Sequence, residues 1–340
     1  MKKTLLALVV AASATASVNA AEVFKSEEGS VNFYGQLRPI LVFSEGNDHT
    51  AELNTSSSRM GVNGVYVVDS GLKILGEVEI GVGLGDNYNA GDDSSERSDD
   101  SVYVRRHIFG LDMGDAGTLR IGKEGTFADD VYGADYSYFF GGSALLYGHA
   151  WNNSSQIKYA FENDAFWLKA GYALGEKDSN EEIREVFVGK SFGDLAMHAG
   201  VLSSENKLSS QGSNSENLSF EVTGEYALGE HVLGATYYYN ENDDKAAGEV
   251  VDSHGISLAG MFAVANKTTL YTGYELVLAE SDAKDSVDGD ASRAYAGVEY
   301  KFSKWARVFA EAGYVFEETT TADEKKDSAT NFGLGARFYW

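Results

Sequence analysis

The sequence lacks several features that define common classes of protein. None of its 340 residues is cysteine, which excludes disulfide bonds and thiolate metal sites, and its single proline leaves extended hydrogen-bond ladders almost uninterrupted. Basic residues are few: 27 against 52 acidic residues give a net charge of −25, so a nucleic-acid partner is not expected. Beyond residue 20 there is no run of 18 apolar residues, so the sequence predicts no transmembrane helix there.

The first twenty residues have the pattern of an export signal. Lys2 and Lys3 precede an apolar run over residues 5–12, and small residues follow as far as Val18-Asn19-Ala20. A basic start, a short apolar stretch and a small-residue cleavage site predict a signal peptide over residues 1–20. Its removal takes away two lysines and no acidic residue, which changes the net charge from −25 to −27.

What is abundant favours β-structure. The chain has 38 glycines, 20 tyrosines and 18 phenylalanines, and apolar residues alternate with polar or small ones. In the last ten residues Phe332, Leu334 and Phe338 fall on one side, and Gly333 and Arg337 fall on the other. The same period of two predicts sixteen strands, at about 31–43, 58–68, 72–83, 101–113, 117–123, 154–162, 165–175, 182–192, 195–204, 217–227, 231–240, 253–264, 267–279, 292–302, 305–317 and 329–340.

The connections between these strands alternate strictly in length. Seven are short and rich in Asn, Asp and Gly, which tolerate the backbone of tight hairpins. Eight are long and polar, at about 44–57, 84–100, 124–153, 176–181, 205–216, 241–252, 280–291 and 318–328. An up-and-down sheet would therefore carry its tight turns on one rim and its long loops on the other, which is typical of outer-membrane barrels.

An open sheet of sixteen strands would leave two unpaired edges and one uncovered apolar face. Closure removes both edges by pairing the C-terminal strand, with Phe338 and Trp340 at its end, to the strand at 31–43. Because lipid offers no hydrogen bonds, a membrane requires such closure. We therefore predict an all-β, 16-stranded antiparallel transmembrane β-barrel over residues 21–340. The alternative is a soluble sandwich or propeller, which need not sort its loops by length.

The third long loop is the candidate constriction of the barrel. Its middle, "YSYFFGGSALLYG" (136–148), is too apolar for an exposed loop, so we expect it to fold into the lumen. Its carboxylates would then face basic side chains on the wall and set a field across the narrowest point, although solvated lumen charges without a special role remain the alternative. The acidic candidates are Asp129, Asp130 and Asp135, and the basic candidates on the inner parity are Arg38, Arg59, Arg105 and Lys158.

Two basic residues have the outward parity. Arg106 follows Arg105 directly and would face lipid, at a cost of a few kcal/mol, unless the strand carries a bulge or another subunit covers this surface. Lys123 shares the outward parity of Leu119 and Ile121. Both lie near small residues of the first five strands, so we assign Arg106 and Lys123 to a subunit contact.

With these residues in view, the chain resembles the general porins, the trimeric diffusion channels of Gram-negative outer membranes, over its whole mature length. "SSRMGVNG" (57–64) and "VRRHIFGLDMGDAGTLRIGKEG" (104–125) resemble the strands that carry the basic ladder of that family and an interface cation. "FFGG" (139–142) resembles the motif Pro-Glu-Phe-Gly-Gly-Asp of its constriction loop, although Phe139 and Ser143 replace the two acids. The resemblance implies ladder arginines at Arg59 and Arg105, an interface lysine at Lys123, and a constriction-loop turn at Phe140, Gly141 and Gly142.

These observations predict a water-filled outer-membrane channel for passive diffusion of ions and small hydrophilic solutes, mildly cation-selective because the chain is acidic. By resemblance we expect a homotrimer that contacts lipid, lipopolysaccharide and the barrel-assembly machinery, which would recognise the terminal Trp340. A sugar-specific channel and a surface receptor or adhesin stay open as alternatives. An enzyme is not expected, because none of the six histidines stands in a His-x3-His or HExxH arrangement, and no cofactor or metal is expected.

Overall fold

A computed structural model of the chain describes residues 20–45, 51–54, 58–82, 102–131, 133–142, 153–176, 181–207, 214–284, 286–322 and 324–340. The predicted signal peptide falls almost wholly outside these residues. Within them, the main body is a sheet of sixteen barrel strands, two of which are interrupted. The strands are β1 (Gly29–Leu37 and Ile40–Ser44), β2 (Glu52–Asn54 and Arg59–Val67), β3 (Lys73–Val82), β4 (Val102–Asp112), β5 (Thr118–Glu124), β6 (Asn153–Glu162), β7 (Trp167–Ala173), β8 (Glu182–Phe192), β9 (Leu195–Asn206), β10 (Ser215–Leu228), β11 (His231–Asp244), β12 (Glu249–Ala265), β13 (Thr268–Ser281), β14 (Gly289–Ser303), β15 (Ala306–Val315) and β16 (Ala329–Tyr339).

Each strand pairs antiparallel with its neighbour in sequence, and β16 pairs with β1, so the sheet closes. Phe338 lies opposite Leu37, and Trp340 exchanges two backbone hydrogen bonds with Gly35, at 3.0 and 3.1 Å. A short N-terminal strand, Ala21–Lys25, continues the position of β16 along the other half of β1. The predicted closure, and with it the all-β 16-stranded barrel, is confirmed.

The two faces of the barrel wall reverse the arrangement of a soluble protein. Apolar side chains of the outward parity are widely exposed, for example Val78 at 46% and Leu258 at 51%, whereas the inward Glu275 and Glu311 are exposed by 0% and 1%. Apolar groups on the outside and charged groups within suit a barrel surrounded by lipid, whose wall is polar towards the lumen. Aromatic residues such as Phe302 and Trp305 are exposed beside the short turns, where a membrane interface favours them.

The short connections adopt the backbone that their residues predict. Gly193 and Gly229 have φ of 67° and 66°, and Lys267 has φ of 68°, all in tight hairpins on one rim. On the long-loop side several strands continue beyond the predicted ends; β12, for example, has 17 residues. No helix in the described part of the chain is long and apolar enough to cross a membrane.

Candidate functional site

The third long loop enters the barrel directly after β5. Thr126 caps a short helix, α1 (Phe127–Asp130), by accepting a hydrogen bond of 3.2 Å from the amide of Asp129. The first amides of α1 donate to the carboxylate of Glu185 on β8, from Phe127 at 2.6 Å and from Ala128 at 2.9 Å. A carboxylate at a helix N-terminus satisfies amides that the helix itself cannot pair, so the inner wall fixes the start of the loop.

From α1 the loop follows the inner wall. The amide of Ala134 donates to the hydroxyl of Thr236 on β11 at 2.6 Å, and the hydroxyl of Ser257 on β12 donates to the carbonyl of Ala134 at 2.6 Å. Tyr136 continues the attachment, because its amide donates to the hydroxyl of Tyr295 on β14 at 2.9 Å. Ala134 is wholly buried, so the loop packs against the wall at this residue.

The tip of the loop is held by carboxylates of β13 and β15. Glu311 accepts hydrogen bonds from the amides of Tyr138 at 2.6 Å, Phe139 at 3.2 Å and Phe140 at 2.7 Å, and Glu275 accepts one from Gly142 at 2.7 Å. Hydrogen bonds to an ionised acceptor are about twice as strong as neutral ones, and these replace the water that a free loop would bind. The infolded constriction loop predicted from its apolar composition is therefore present, with residues 143–152 outside the described part.

Small residues of the wall make room for the tip. A Cβ atom placed on Gly313 would lie 2.5 Å from the Cβ of Phe140, and one on Gly333 would lie 2.7 Å from the ring of Phe139. Within the loop, Gly142 has φ of 87°, a left-handed conformation that favours glycine. A side chain on Gly141 would collide with the carboxylate of Asp135 at 2.4 Å. The predicted turn at residues 140–142 thus needs its glycines for conformation and for space.

Opposite the attached tip, the wall of β2–β6 carries interleaved cations and carboxylates. Glu79 on β3 is 3.0 Å from Arg105 and 3.7 Å from Arg59, so these two predicted ladder arginines share one carboxylate. Glu77, two residues earlier, is 3.5 Å from both Arg106 and Arg120. The basic wall is therefore partly neutralised by its own strands, which moderates the field that it presents to the lumen.

Lys158 differs from the arginines because it is covered by the loop. Its side chain is only 1% exposed, its ammonium donates to the carbonyl of Gly125 at 2.7 Å, and the ammonium is 3.0 Å from Asp130 and 3.6 Å from Glu124. It also lies 3.9 Å from the centroid of the Phe127 ring. Lys158 has the predicted inward direction, but it anchors the start of the loop and is not open to a passing solute.

The adjacent carboxyl groups of α1 differ in their acidity. Burial and the neighbouring Asp130 raise the pKa of Asp129 to about 6, against the opposing effect of Arg105. Burial also disfavours the charged form of Asp130, but Lys158 and Arg106 outweigh it and hold the pKa of Asp130 below its usual value. Asp130 therefore stays ionised within its ion pairs, whereas Asp129 gains or loses its charge near pH 6.

The model of the Gram-negative porin family matches residues 7–321 of the chain. The chain belongs to the Gram-negative porin family. As a member of this family it is an outer-membrane protein whose barrel forms a channel. The fold and the infolded loop described above are those expected for a porin.

Individual relatives extend this likeness over nearly the whole porin chain. A major outer membrane protein of Pasteurella multocida is 25% identical in an alignment of 356 positions, which covers 99% of this chain and all of the relative. A loop-deletion form of OmpT, an outer membrane protein of Vibrio cholerae, superposes with a TM-score of 0.80 and 43% identity over 92% of this chain and all of that one. A trimer form of OmpT superposes with a TM-score of 0.77 and 41% identity, over 92% and 100% of the two chains.

The structure decides between the two explanations for Arg106. The register of β3 and β4 shifts at Glu79 and Ile80, so that Glu79 pairs with Arg106 and Ile80 pairs with Val104. This bulge places Arg105 and Arg106 both on the inner side, and Arg106 pairs with Glu77. The expectation that Arg106 lies in a subunit contact is therefore corrected: in this porin it belongs to the basic wall of the lumen.

Lys123 retains the predicted outward direction. It lies opposite His107, which is exposed, and Ile121 on the same face of β5 is 44% exposed.

At the closure, Trp340 packs near Phe33 and Phe338, with ring centroids 6.2 Å away in each case. Gly35 leaves space for this indole, since a Cβ there would lie 2.2 Å from it.

Several inner residues of this porin were not among the site candidates chosen from the sequence. Arg337 on β16 has its guanidinium 4.5 Å from the centroid of the Tyr138 ring, and Arg307 on β15 donates to the hydroxyl of Tyr138 at 3.2 Å. Tyr138 itself stacks on Phe309 with centroids 3.8 Å apart. The inward parity of Arg337 was visible in the alternation of the last ten residues, but its contact with the loop depends on pairing across the closed barrel. The wall carboxylates missed as loop anchors are Glu185, Glu275, Glu299 and Glu311.

Proposed function

We propose that this porin is a water-filled channel through which ions and small hydrophilic solutes diffuse passively. One observation carries the proposal: the described part of the loop, residues 126–131 and 133–142, is hydrogen-bonded to the inner wall from β8 round to β15, while charged residues of β2–β5 line the remaining wall. A barrel of sixteen strands is too wide to be filled by its own side chains, so a loop held to one side narrows the passage. The charged lining favours polar solutes over apolar ones.

The channel is mildly cation-selective in this proposal. The net charge of −25 becomes −27 once the predicted signal peptide with Lys2 and Lys3 is removed, and with acidic loops on one rim it concentrates cations at the mouth over a screening distance of about 8–10 Å. Within the lumen, Arg59, Arg105 and Arg106 oppose that preference, but Glu77 and Glu79 pair with them. Modest selectivity that weakens with rising salt follows from these opposing charges.

We further infer that the channel assembles as a homotrimer. The support is the trimer form of OmpT from Vibrio cholerae, which is 41% identical to this chain, together with the outward Lys123 on the glycine-rich wall of the first strands. An outward charge at membrane depth costs less when another subunit covers it than when lipid does. Lipid, lipopolysaccharide and the barrel-assembly machinery remain expected partners by resemblance.

Two measurements test the proposed function. In liposomes, the swelling rate with sugars of graded size should fall smoothly as size increases, which indicates a sieve; a single strongly preferred sugar would instead indicate a specific channel. In planar bilayers, the reversal potential in a potassium chloride gradient should have the sign of a cation preference. An anion preference would contradict the proposed selectivity, and the absence of any conductance would contradict the channel itself.

A further inference from the structure

Beyond general diffusion, the inner wall near the closure carries a row of cations on four adjacent strands. Lys301 on β14 pairs in register with Arg307 on β15, and Arg307 pairs with Arg337 on β16. On the far side of β16, Leu37 pairs with Phe338 and Ile40 with Gly335, so the register places Arg38 opposite Arg337. We call Lys301, Arg307, Arg337 and Arg38 the basic row.

The basic row has the inward parity of its strands, and its two middle members contact the tip of the loop. Arg307 donates to the hydroxyl of Tyr138, and Arg337 lies against the ring of the same tyrosine. Ser303 and Ala306 pair at the β14–β15 turn, next to the pair of Lys301 and Arg307, so the row begins at the short-turn rim. A solute that has passed the loop tip therefore meets this row next.

The carboxylates around the row do not balance its charge. Glu299 is 2.9 Å from both Lys301 and Arg307, so one carboxylate serves two cations. Glu311, which lies on the same strand as Arg307, accepts hydrogen bonds from loop amides instead. Among the ion pairs of the described residues none involves Arg38 or Arg337, although the two guanidinium groups stand on paired positions.

A second observation concerns the hydrogen bonds of Arg337. Its Nε is buried and has no acceptor among the described residues, so the protein leaves part of the donor capacity of this guanidinium unused. On the other side of Arg38, Arg59 pairs in register with Gln36, two residues away, and shares Glu79 with Arg105. Like charges directly opposite on neighbouring strands are destabilising, and Arg307, Arg337 and Arg38 present them on three strands in succession.

We propose that Arg38 and Arg337 form a binding site for a small dianionic oxyanion of the phosphate class. The planar guanidinium matches the geometry of such an oxyanion through paired N–H donors, and a dianion would neutralise the charge that Glu299 and Glu79 leave uncompensated. A channel with an overall cation preference would thereby hold multivalent oxyanions briefly at its short-turn end. Chloride, a monovalent ion without oxygen acceptors, would not bind there in the same way.

The test is block of single-channel current by inorganic phosphate at constant ionic strength. In the native protein, phosphate should reduce the current at concentrations where added chloride does not, and more strongly when added on the short-turn side. In Arg38→Gln/Arg337→Gln the half-blocking concentration should rise about tenfold, because two charged hydrogen-bonding partners are lost. Arg184→Gln removes an exposed arginine that pairs with Glu182 and Glu205 outside the lumen. Its half-blocking concentration of phosphate should equal that of the native protein.

The outcomes separate this site from the proposed function. A native channel that conducts but responds equally to phosphate and chloride would overturn the site and leave the channel intact, and that measurement needs no variant. Equal half-blocking concentrations in the native protein and the double variant would overturn it as well. Loss of all conductance in the native protein would instead contradict the channel.

Discussion

The carboxylate of Glu311 accepts hydrogen bonds from the backbone amides of Tyr138 and Phe140, at 2.6 and 2.7 Å. A side chain of the barrel wall thus holds two residues that lie more than 170 positions earlier in the chain. The loop is held inside the barrel by such long-range contacts and not by its own secondary structure, of which the four-residue α1 is the largest element in the described part.

Replacement of Glu311 by alanine should loosen the tip of the loop. Hydrogen bonds to charged groups contribute about 1.5–3 kcal/mol each, and Glu311→Ala leaves three loop amides without an acceptor. We expect larger fluctuations of the open-channel current, measured in single-channel recordings. Glu230→Ala, in the exposed β10–β11 turn, serves as the control. Equal current noise in both variants would show that Glu311 does not restrain the loop.

A side chain on the wall beneath the tip should displace it towards the lumen. Gly313→Val would place a Cβ 2.5 Å from the Cβ of Phe140, and such overpacking costs about 1–3 kcal/mol. We expect a lower single-channel conductance and a lower unfolding temperature. Gly224→Val is a matched control, because a Cβ at Gly224 meets no atom within 4 Å. If both variants conduct like the native protein, Phe140 does not pack against residue 313 in the open channel.

The charge of Asp129 should make cation selectivity depend on pH. Burial and Asp130 raise its pKa to about 6, so the carboxylate is ionised above this pH and neutral below it. Asp129 would be about nine-tenths ionised at pH 7 and one-tenth at pH 5, so cation preference should decrease as the pH falls through this range. Reversal potentials between pH 7 and pH 5 measure the change.

The variant Asp129→Asn isolates this group from the other acids of the porin. It should show the weaker selectivity at pH 7 and little further change down to pH 5. Asp194→Asn, in an exposed hairpin turn on the rim, should keep the native pH profile. A native profile in Asp129→Asn would assign the titration to another carboxyl group.

Reversal of the charge at Lys123 should weaken the trimer. Lys123 is on the outer face of β5 opposite His107, and Lys123→Glu would place an acid where a subunit contact is proposed. We expect the assembly to dissociate at a lower temperature in detergent, as followed by gel migration of unheated and heated samples. Lys190→Glu, an exposed outer-face change on β8, should leave dissociation unchanged. Equal effects of both changes would place Lys123 against lipid.

Period-two alternation predicted the barrel because the apolar and polar residues within each strand show which of its two sides is apolar. The outward exposure of Val78 and the inward burial of Tyr34 follow from parity alone. Parity failed at Arg106, where one extra residue in β4 reverses the direction of every residue before the bulge relative to those after it. A bulge leaves no clear trace in the hydrophobic pattern, so the sequence could raise the possibility but not decide it.

The candidate site was predictable only in part. The apolar composition of residues 136–148 required cover, which located the loop inside the barrel. The partners that hold it could not be inferred, since Glu185 and Glu311 look like any other inward glutamates of their strands. Lys158 was correctly directed inward, yet its burial beneath Phe127 depends on the path of the loop.

By itself, the sequence determined that this protein is a closed barrel with an apolar exterior, because alternation and loop length are local properties written along each strand. The tertiary structure alone decided which charges meet in the lumen. Strand register, a bulge and the closure of β16 on β1 bring Arg337 beside Arg38 and Arg105 beside Glu79, and these neighbours are far apart in the chain. Electrostatic pairing depends on distances of a few ångströms, which no linear pattern contains.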